Sequence, residues 1–396
     1  MRLLVSWLLF VPTILVAQIN FESDFKKVLE KSKTKDKIIF VEYYNPNCHY
    51  CTELDPFLEK KEVGDYYNEH FINYKMNAHD LSEREKELLE SNGLKSLSFP
   101  LFLFFDSEEK FIHHSSTQKD VDFLVDIGKS ALNSFERTSG LEKKYNDGDR
   151  TVRTLYAYCN LLKIYNNDSL IRQVADDLYE AFDEEKLPTR KSFMVLNKCV
   201  NHPSNGFFQF WIDRLDELEE VSELKNDGHL HIMQRILMNS INNDEISSME
   251  EFETIKDYVL KTNLSDNPDR YLWRQKVELL QSVGKEDEAL DLVLEIAKSG
   301  KNNVAAVIYP LEFGFNTLKS EKSYDALYKK LSSLNAENTN YKIGIKYYFL
   351  KYKYFANKAD ETNATKAKEK IISLADENGL TSSQINEYLG ENLIKN

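Results

Sequence analysis

Apolar and polar positions follow two different rhythms along this chain, and the change falls near residue 135. Before it, short apolar blocks stand between stretches of helical spacing. Ile38-Ile39-Phe40-Val41 and Leu101-Phe102-Leu103-Phe104-Phe105 are unbroken runs with the length and β-branched or aromatic content of strands buried on both faces. Phe71 to Met76 alternates more weakly. Phe25, Val28 and Leu29 recur at helical spacing ahead of the first strand, Leu81 to Asn92 predicts a charged helix stopped by Gly93, and Val121 to Leu132 predicts another. Helices alternating with strands predict an α/β layered domain.

From Glu136 onward the strand signal ends and one period dominates. Leu155, Cys159 and Leu162 share a helix face, as do Ile171, Val174 and Leu178, then Trp273, Val277 and Leu280, then Tyr324, Leu327 and Leu331. Helix starts near 151, 190, 227, 269, 303 and 340 predict about six helical hairpins. The hairpin at 271–300 is the clearest, with Gly284 in its turn and Ala289, Ala297 and Gly300 in its second half. It resembles the tetratricopeptide pattern, which implies an α-solenoid-like array whose hairpins bury their apolar stripes against one another. The expected division is therefore 1–17, 18–135 and 136–396.

The first 17 residues are a separate case. Arg2 precedes an apolar run from Leu3 that ends in Leu15-Val16-Ala17 before Gln18. That is the pattern of a secretory signal cut near Ala17, and the run falls short of the roughly 20 residues that a membrane anchor needs. No cysteine follows it to carry a lipid. The expected location is thus the periplasm or cell envelope, with no membrane span after cleavage. With 42% apolar and 29% charged residues, 13 Gly and 8 Pro, the rest has the composition of a folded, helix-rich protein. A formal net charge of −14 repels phosphate backbones, which argues against nucleic acid as a partner.

Four cysteines in 396 residues do not make a disulfide scaffold. The close pair Cys48-His49-Tyr50-Cys51 instead invites a chemical reading. Disulfide exchange needs a thiolate that attacks, a second thiol that resolves the mixed disulfide, and a scaffold that tunes the first. A C-x-x-C at a helix start meets all three needs, because unpaired N–H groups and the helix dipole favour the first thiolate. Here a strand at 38–44, a turn Asn45-Pro46-Asn47, and a helix over 51–68 surround the pair. Taken alone, the pair is also open to reading as half of a zinc site or as an inert disulfide. No metal is expected, since His70, His79, Cys159 and Cys199 show no paired ligand spacing.

With those surroundings the segment resembles the thioredoxin superfamily, and Ile19 to Asn47 with Phe71 to Asn77 resembles exported bacterial proteins related to the soluble domains of thiol:disulfide interchange proteins. The resemblance covers about residues 19 to 135. It implies a thioredoxin fold in which Cys48 is the nucleophile, Cys51 the resolving thiol and Glu42, six residues before Cys48, the buried proton acceptor. On the residues alone, Glu42 is also open to reading as an exposed strand position. Pro56 matches the proline that kinks the active-site helix, and Ser98-Phe99-Pro100-Leu101 matches the loop whose cis-proline packs on the redox pair, with Phe99 and Pro100 docking an extended substrate segment. Asn47 departs from the family's Trp, and the usual Gly is missing near His113-His114-Ser115-Ser116, where the two histidines read as a solvated loop pair. His49 beside the thiolate is expected to stabilise it and so make the disulfide more oxidising.

Cys159 and Cys199 sit on apolar faces and read as small buried hydrophobes or, in an oxidising compartment, as a structural disulfide. The function expected is a thiol:disulfide oxidoreductase without a cofactor, its helical region recruiting client proteins and a redox partner recycling its dithiol. The competing class is a non-enzymatic envelope scaffold carrying a vestigial thioredoxin fold.

Overall fold

The apolar runs of the first part join in one sheet. The computed structural model describes residues 18–243, 246–300, 303–336 and 339–394, so the expected export signal at 1–17 lies outside the described residues. Strands β1 (Phe21–Glu22), β2 (Ile39–Tyr44), β3 (Ile72–Asn77), β4 (Leu101–Phe105) and β5 (Phe111–Ser116) lie in the order β1-β3-β2-β4-β5. β2 runs parallel to β3 and antiparallel to β4, so that Glu42 faces Lys75 on one side and Phe102 on the other. Because successive side chains of a strand point to opposite faces, Phe40 and Glu42 share one face while Ile39, Val41 and Tyr43 share the other.

Helices cover both faces, which is why β2 reads as a continuous apolar run rather than an alternating one. Helices α1 (Phe25–Lys35), α2 (His49–Leu58), α3 (Lys61–His70), α4 (Glu83–Ser91) and α5 (Val121–Leu132) supply the layers. Leu54 and Leu58 of α2, Val63 and Tyr67 of α3, and Leu124, Ile127 and Ala131 of α5 pack on Phe40, Phe102 and Phe104. On the opposite face the Phe25 ring of α1 lies 5.1 Å from that of Tyr74, whose hydroxyl donates to Glu85 of α4 at 2.7 Å. Ser82 and Glu85 close a reciprocal capping box at the start of α4, and Gly93 ends the segment at φ 69°, a left-handed angle that glycine adopts without strain.

Two expectations change here. The helix expected over 51–68 is two helices, interrupted at Glu59 and Lys60. Leu54, Leu58, Val63 and Tyr67 are all buried, and the step of five between Leu58 and Val63 would put them on different sides of one continuous helix. The break restores the phase. His113 and His114, expected in a solvated loop, lie on β5 and are buried. The backbone N–H of Thr138 donates to His113 Nδ1 at 3.3 Å, and Thr138 Oγ1 lies 3.1 Å from His114 Nδ1. Burial pushes their pKa values down to about 4 and about 3, keeping both rings neutral at physiological pH.

Thr138 belongs to a short turn that opens the helical part. The chain divides into two compact units, one ending at Lys225 and the other beginning at Asn226. The first unit therefore contains the sheet together with α6 (Leu141–Asn146), α7 (Val152–Ile164), α8 (Asp168–Glu180), α9 (Arg190–Cys199), α10 (Gly206–Ile212) and α11 (Leu215–Ser222). In the second unit, Gly228–Asn242 precedes Met249–Lys261, Trp273–Ser282 precedes Glu286–Ser299, Val304–Thr317 precedes Glu321–Ser332, and Tyr341–Asn357 precedes Glu361–Glu377. Gly284 takes φ 77° in the turn of the second of these hairpins, and Ala289 and Ala297 are buried in its packing. Among the described residues no strand follows Ser116, and no helix is long and apolar enough to cross a membrane.

Phe40 is the hub of the sheet core: fully buried, its ring lies 4.6 Å from Tyr67, 4.7 Å from Phe102 and 5.3 Å from Phe104. Phe40→Ala removes a side chain that rigid neighbours cannot replace, and urea unfolding is expected to show a loss of about 3–5 kcal/mol. A loss below about 1 kcal/mol would mean that the core collapses onto the gap.

Candidate functional site

The site forms where β2 ends. Asn45 begins the turn: its side-chain oxygen accepts from Asn47 N at 2.8 Å, and its carbonyl accepts from Cys48 N at 3.0 Å. This turn sets Cys48 as the N-cap of α2, with extended backbone angles of φ −84° and ψ 112°. Its sulfur occupies the place that a Ser or Asp oxygen usually fills and accepts from Cys51 N at 3.2 Å. A thiolate here faces the positive end of the helix dipole. The Cys48 thiol is partly exposed and donates to the Phe99 carbonyl at 3.9 Å. The Phe99–Pro100 peptide is cis, with Phe99 exposed and Pro100 buried.

Cys51, one turn along, faces inward and is 4% exposed. Burial chiefly, with the nearby Cys48 sulfur and Glu42 adding to it, pushes its thiol up to about 11 even though the backbone at Asn45 lowers it. Both motif cysteines are free thiols. Pro56 sits inside α2 and leaves that turn without a backbone donor.

Glu42 lies under the helix, fully buried. Burial raises its carboxyl from an ordinary 4.5 to about 7, with Lys75 pulling the other way and Asp55 adding to the rise. Lys75 Nζ stands 3.3 Å from Glu42 Oε1 but makes its closer bond, 2.8 Å, to Asp55, so neither Glu42 oxygen has a well-formed hydrogen bond. The half-buried Lys75 is disfavoured as a cation by its burial, and the two carboxylates more than offset this, leaving its pKa raised.

The structure thus brings Cys48, Cys51, Phe99 and Pro100 together, with Glu42 beneath them. It turns His49 elsewhere. That ring is 89% exposed and pairs with Glu53 at 3.4 Å, and Glu53 in turn holds Lys119 at 3.0 Å. Tyr50, exposed like Phe99, donates its hydroxyl to the Thr117 carbonyl at 3.3 Å under the Lys119 ammonium.

Three features escaped the sequence reading. Lys75 is opposite Glu42 in the parallel β2/β3 register, and Asp55 follows Cys51 by one helical turn, so strand register would have found the first and helical spacing the second. The third had no local signal: the Ile164 carbonyl, at the end of α7, accepts from Lys95 N at 2.9 Å and Ser96 N at 3.0 Å, bracing the loop that leads to Pro100.

Strand order, the position of the cysteine pair at the start of α2 and the cis proline opposite it define the architecture. The N-terminal domain is thioredoxin-like, and a largely helical region follows it. No protein-family model matches the chain, and no curated protein matches its sequence. Among solved structures, the DsbH oxidoreductase is 21% identical over 32% of this chain and 94% of its own, with a TM-score of 0.27. A candidate disulphide isomerase from Bacteroides thetaiotaomicron is 26% identical over 30% of this chain and 95% of its own, TM-score 0.26. A disulphide isomerase from Xylella fastidiosa Temecula1 is 15% identical over 29% and 98%, TM-score 0.23.

Two outcomes follow from the geometry. Iodoacetamide at mildly acidic pH is expected to alkylate Cys48 at least about tenfold faster than Cys51, read by peptide mass mapping, because Cys51 is buried and its thiol raised. Preferential labelling of Cys51 would reverse the assignment. A carboxyl whose pKa is higher in the folded state stabilises the fold fully only below its ordinary value, and that contribution is lost as pH rises through 4.5 towards 7. Glu42→Gln is therefore expected to match the parent near pH 4.5 and to exceed it by about 3 kcal/mol near pH 8 in urea unfolding. Equal stabilities at both pH values would show that water reaches Glu42.

Proposed function

We propose that this chain is an exported thiol:disulfide oxidoreductase acting on protein thiols. The observation that carries the reading is the asymmetric pair: a reachable Cys48 sulfur at the N-terminus of α2, accepting from Cys51 N at 3.2 Å, above a buried Cys51. In the reducing direction the Cys48 thiolate attacks a client disulfide and expels one client thiolate, leaving a mixed disulfide. Cys51 then loses its proton and attacks Cys48 Sγ, expelling the second client thiolate. Two electrons pass to the client and the Cys48–Cys51 disulfide remains, to be reduced by a dithiol partner; the oxidising direction is the reverse.

A thiol near 11 resolves slowly unless a base takes its proton, and Glu42, near 7, gains and loses protons in the neutral range. Glu42 is thus the proposed proton acceptor. Phe99 and Pro100 present the backbone edge on which an extended client segment docks, with the Phe99 carbonyl already beside Cys48. His49 reaches the thiolate in this proposal only by leaving Glu53. The signal pattern at 1–17 supports delivery to the periplasm or cell envelope. The helical hairpins after residue 135, tetratricopeptide-like in pattern, recruit the client in this proposal, and tethering raises its effective concentration at Cys48.

Insulin reduction and oxidation of a reduced peptide test the chemistry. Activity is expected in the parent and lost in Cys48→Ala, while Cys51→Ser accumulates mixed disulfides with envelope proteins. In the Cys51→Ser background, the full chain is expected to trap its clients in several-fold higher yield than residues 18–225, with no difference for a small peptide disulfide. Absence of exchange at every buffer potential would leave the scaffold reading standing, and equal yields would remove client recruitment from the second unit.

A further inference from the structure

The second cysteine pair is also a juxtaposition. Cys159 lies mid-way along α7 between Leu155 and Leu162, and Cys199 is the last residue of α9; α7 packs against both α8 and α9. Both residues are free cysteines with no exposed surface, and the Cys159 side chain lies close enough to Cys199 to act on its thiol. Two residues 40 apart in sequence are thus brought together, fully buried, by the packing of α7 on α9.

We propose that Cys159 and Cys199 form a structural disulfide that ties α7 to α9, separate from the exchanging pair at Cys48 and Cys51. The reaction is thiol–disulfide exchange with a disulfide donor, either a small-molecule disulfide or a protein disulfide. One thiolate attacks the donor and expels a thiolate; the second attacks the resulting mixed disulfide and expels the other. The pair loses two electrons, the donor gains them, and the two thiol protons pass to the released thiolates. Because neither sulfur is exposed, the exchange takes place before α7, α8 and α9 close on one another. Once formed, the bond is out of reach of reductants.

Burial gives the pair its structural character. An accessible, easily reversed disulfide needs a thiolate, and here burial, then the contact with Cys159, raises the Cys199 thiol well above its usual value. The cross-link encloses α8 and removes the freedom of a loop of about 40 residues from the unfolded chain. It also fixes α7, whose Ile164 carbonyl braces Lys95 and Ser96 ahead of Pro100.

The test uses the full chain exported into an oxidising compartment, denatured in N-ethylmaleimide without reductant and digested with trypsin. The expected product is peptide 154–163 joined to peptide 199–214, present in most molecules and absent after reduction. Maleimide on both Cys159 and Cys199, or either joined to Cys48 or Cys51, would overturn the proposal. A second measurement uses the Cys48→Ala/Cys51→Ala protein, in which only this pair responds to redox state. Reduction during unfolding is expected to lower the Tm of the first unit by about 10 °C. An unchanged Tm would overturn the structural role. Neither readout involves exchange activity, so loss of the proposed oxidoreductase function leaves both interpretable.

Discussion

Strand β2 is covered on both faces by helices and flanked on both edges by strands, so its backbone has no freedom to shift, and its C-terminal end fixes where the chain turns at Asn45. The start of α2 follows from that turn. The sulfur of Cys48 occupies the cap of that helix, and Cys51 points inward one turn later. The same burial that holds the strand strips water from Glu42, two residues along the face from Phe40. Packing and chemistry therefore have one origin: a different register of β2 would move the helix, the cap and the acid together.

Desolvation also divides labour within the pair. Cys48 lies at the helix dipole and partly in water, whereas Cys51 sits in the protein with its thiol pushed up to about 11. In the proposed exchange the reachable sulfur attacks and the buried one waits until a base removes its proton. Glu42 is held near 7 because burial outweighs the pull of Lys75, which shares its charge with Asp55. A carboxylate fully satisfied by Lys75 would stay ionised and, in the role proposed for Glu42, be a poorer proton carrier near neutral pH. The imperfect bond costs stability and keeps the group titratable.

The helices after residue 135 do more for the sheet than follow it. Thr138 covers His113 and His114 on the outer strand, and Ile164 braces the loop before Pro100. An edge strand with unpaired polar groups is a liability, and the turn at Thr138 meets it by satisfying ring nitrogens that are otherwise costly to bury. The compact unit accordingly runs to Lys225, while the strand signal stops far earlier.

The sequence by itself determined what depends on local period and on short-range chemistry. The apolar runs at 38–41 and 101–105 became the central strands, Val121 to Leu132 became a helix with those bounds, and the starts near 151, 190, 227, 303 and 340 fall within a residue of helix starts. The cysteine spacing and Pro100 were legible because each is a local motif. Tertiary structure alone decided the rest. A step of five between Leu58 and Val63 broke a helix because both had to reach the same core. His49 turned towards Glu53, whose partner Lys119 comes from a distant segment, and His113 and His114 became buried because a turn 24 and 25 residues away folds over them. Lys75 reached Glu42 only through strand register, and Cys159 met Cys199 only through helix packing. Such pairings depend on which surfaces the fold brings together, and hydrophobic period records how strongly a residue is buried but not what it is buried against.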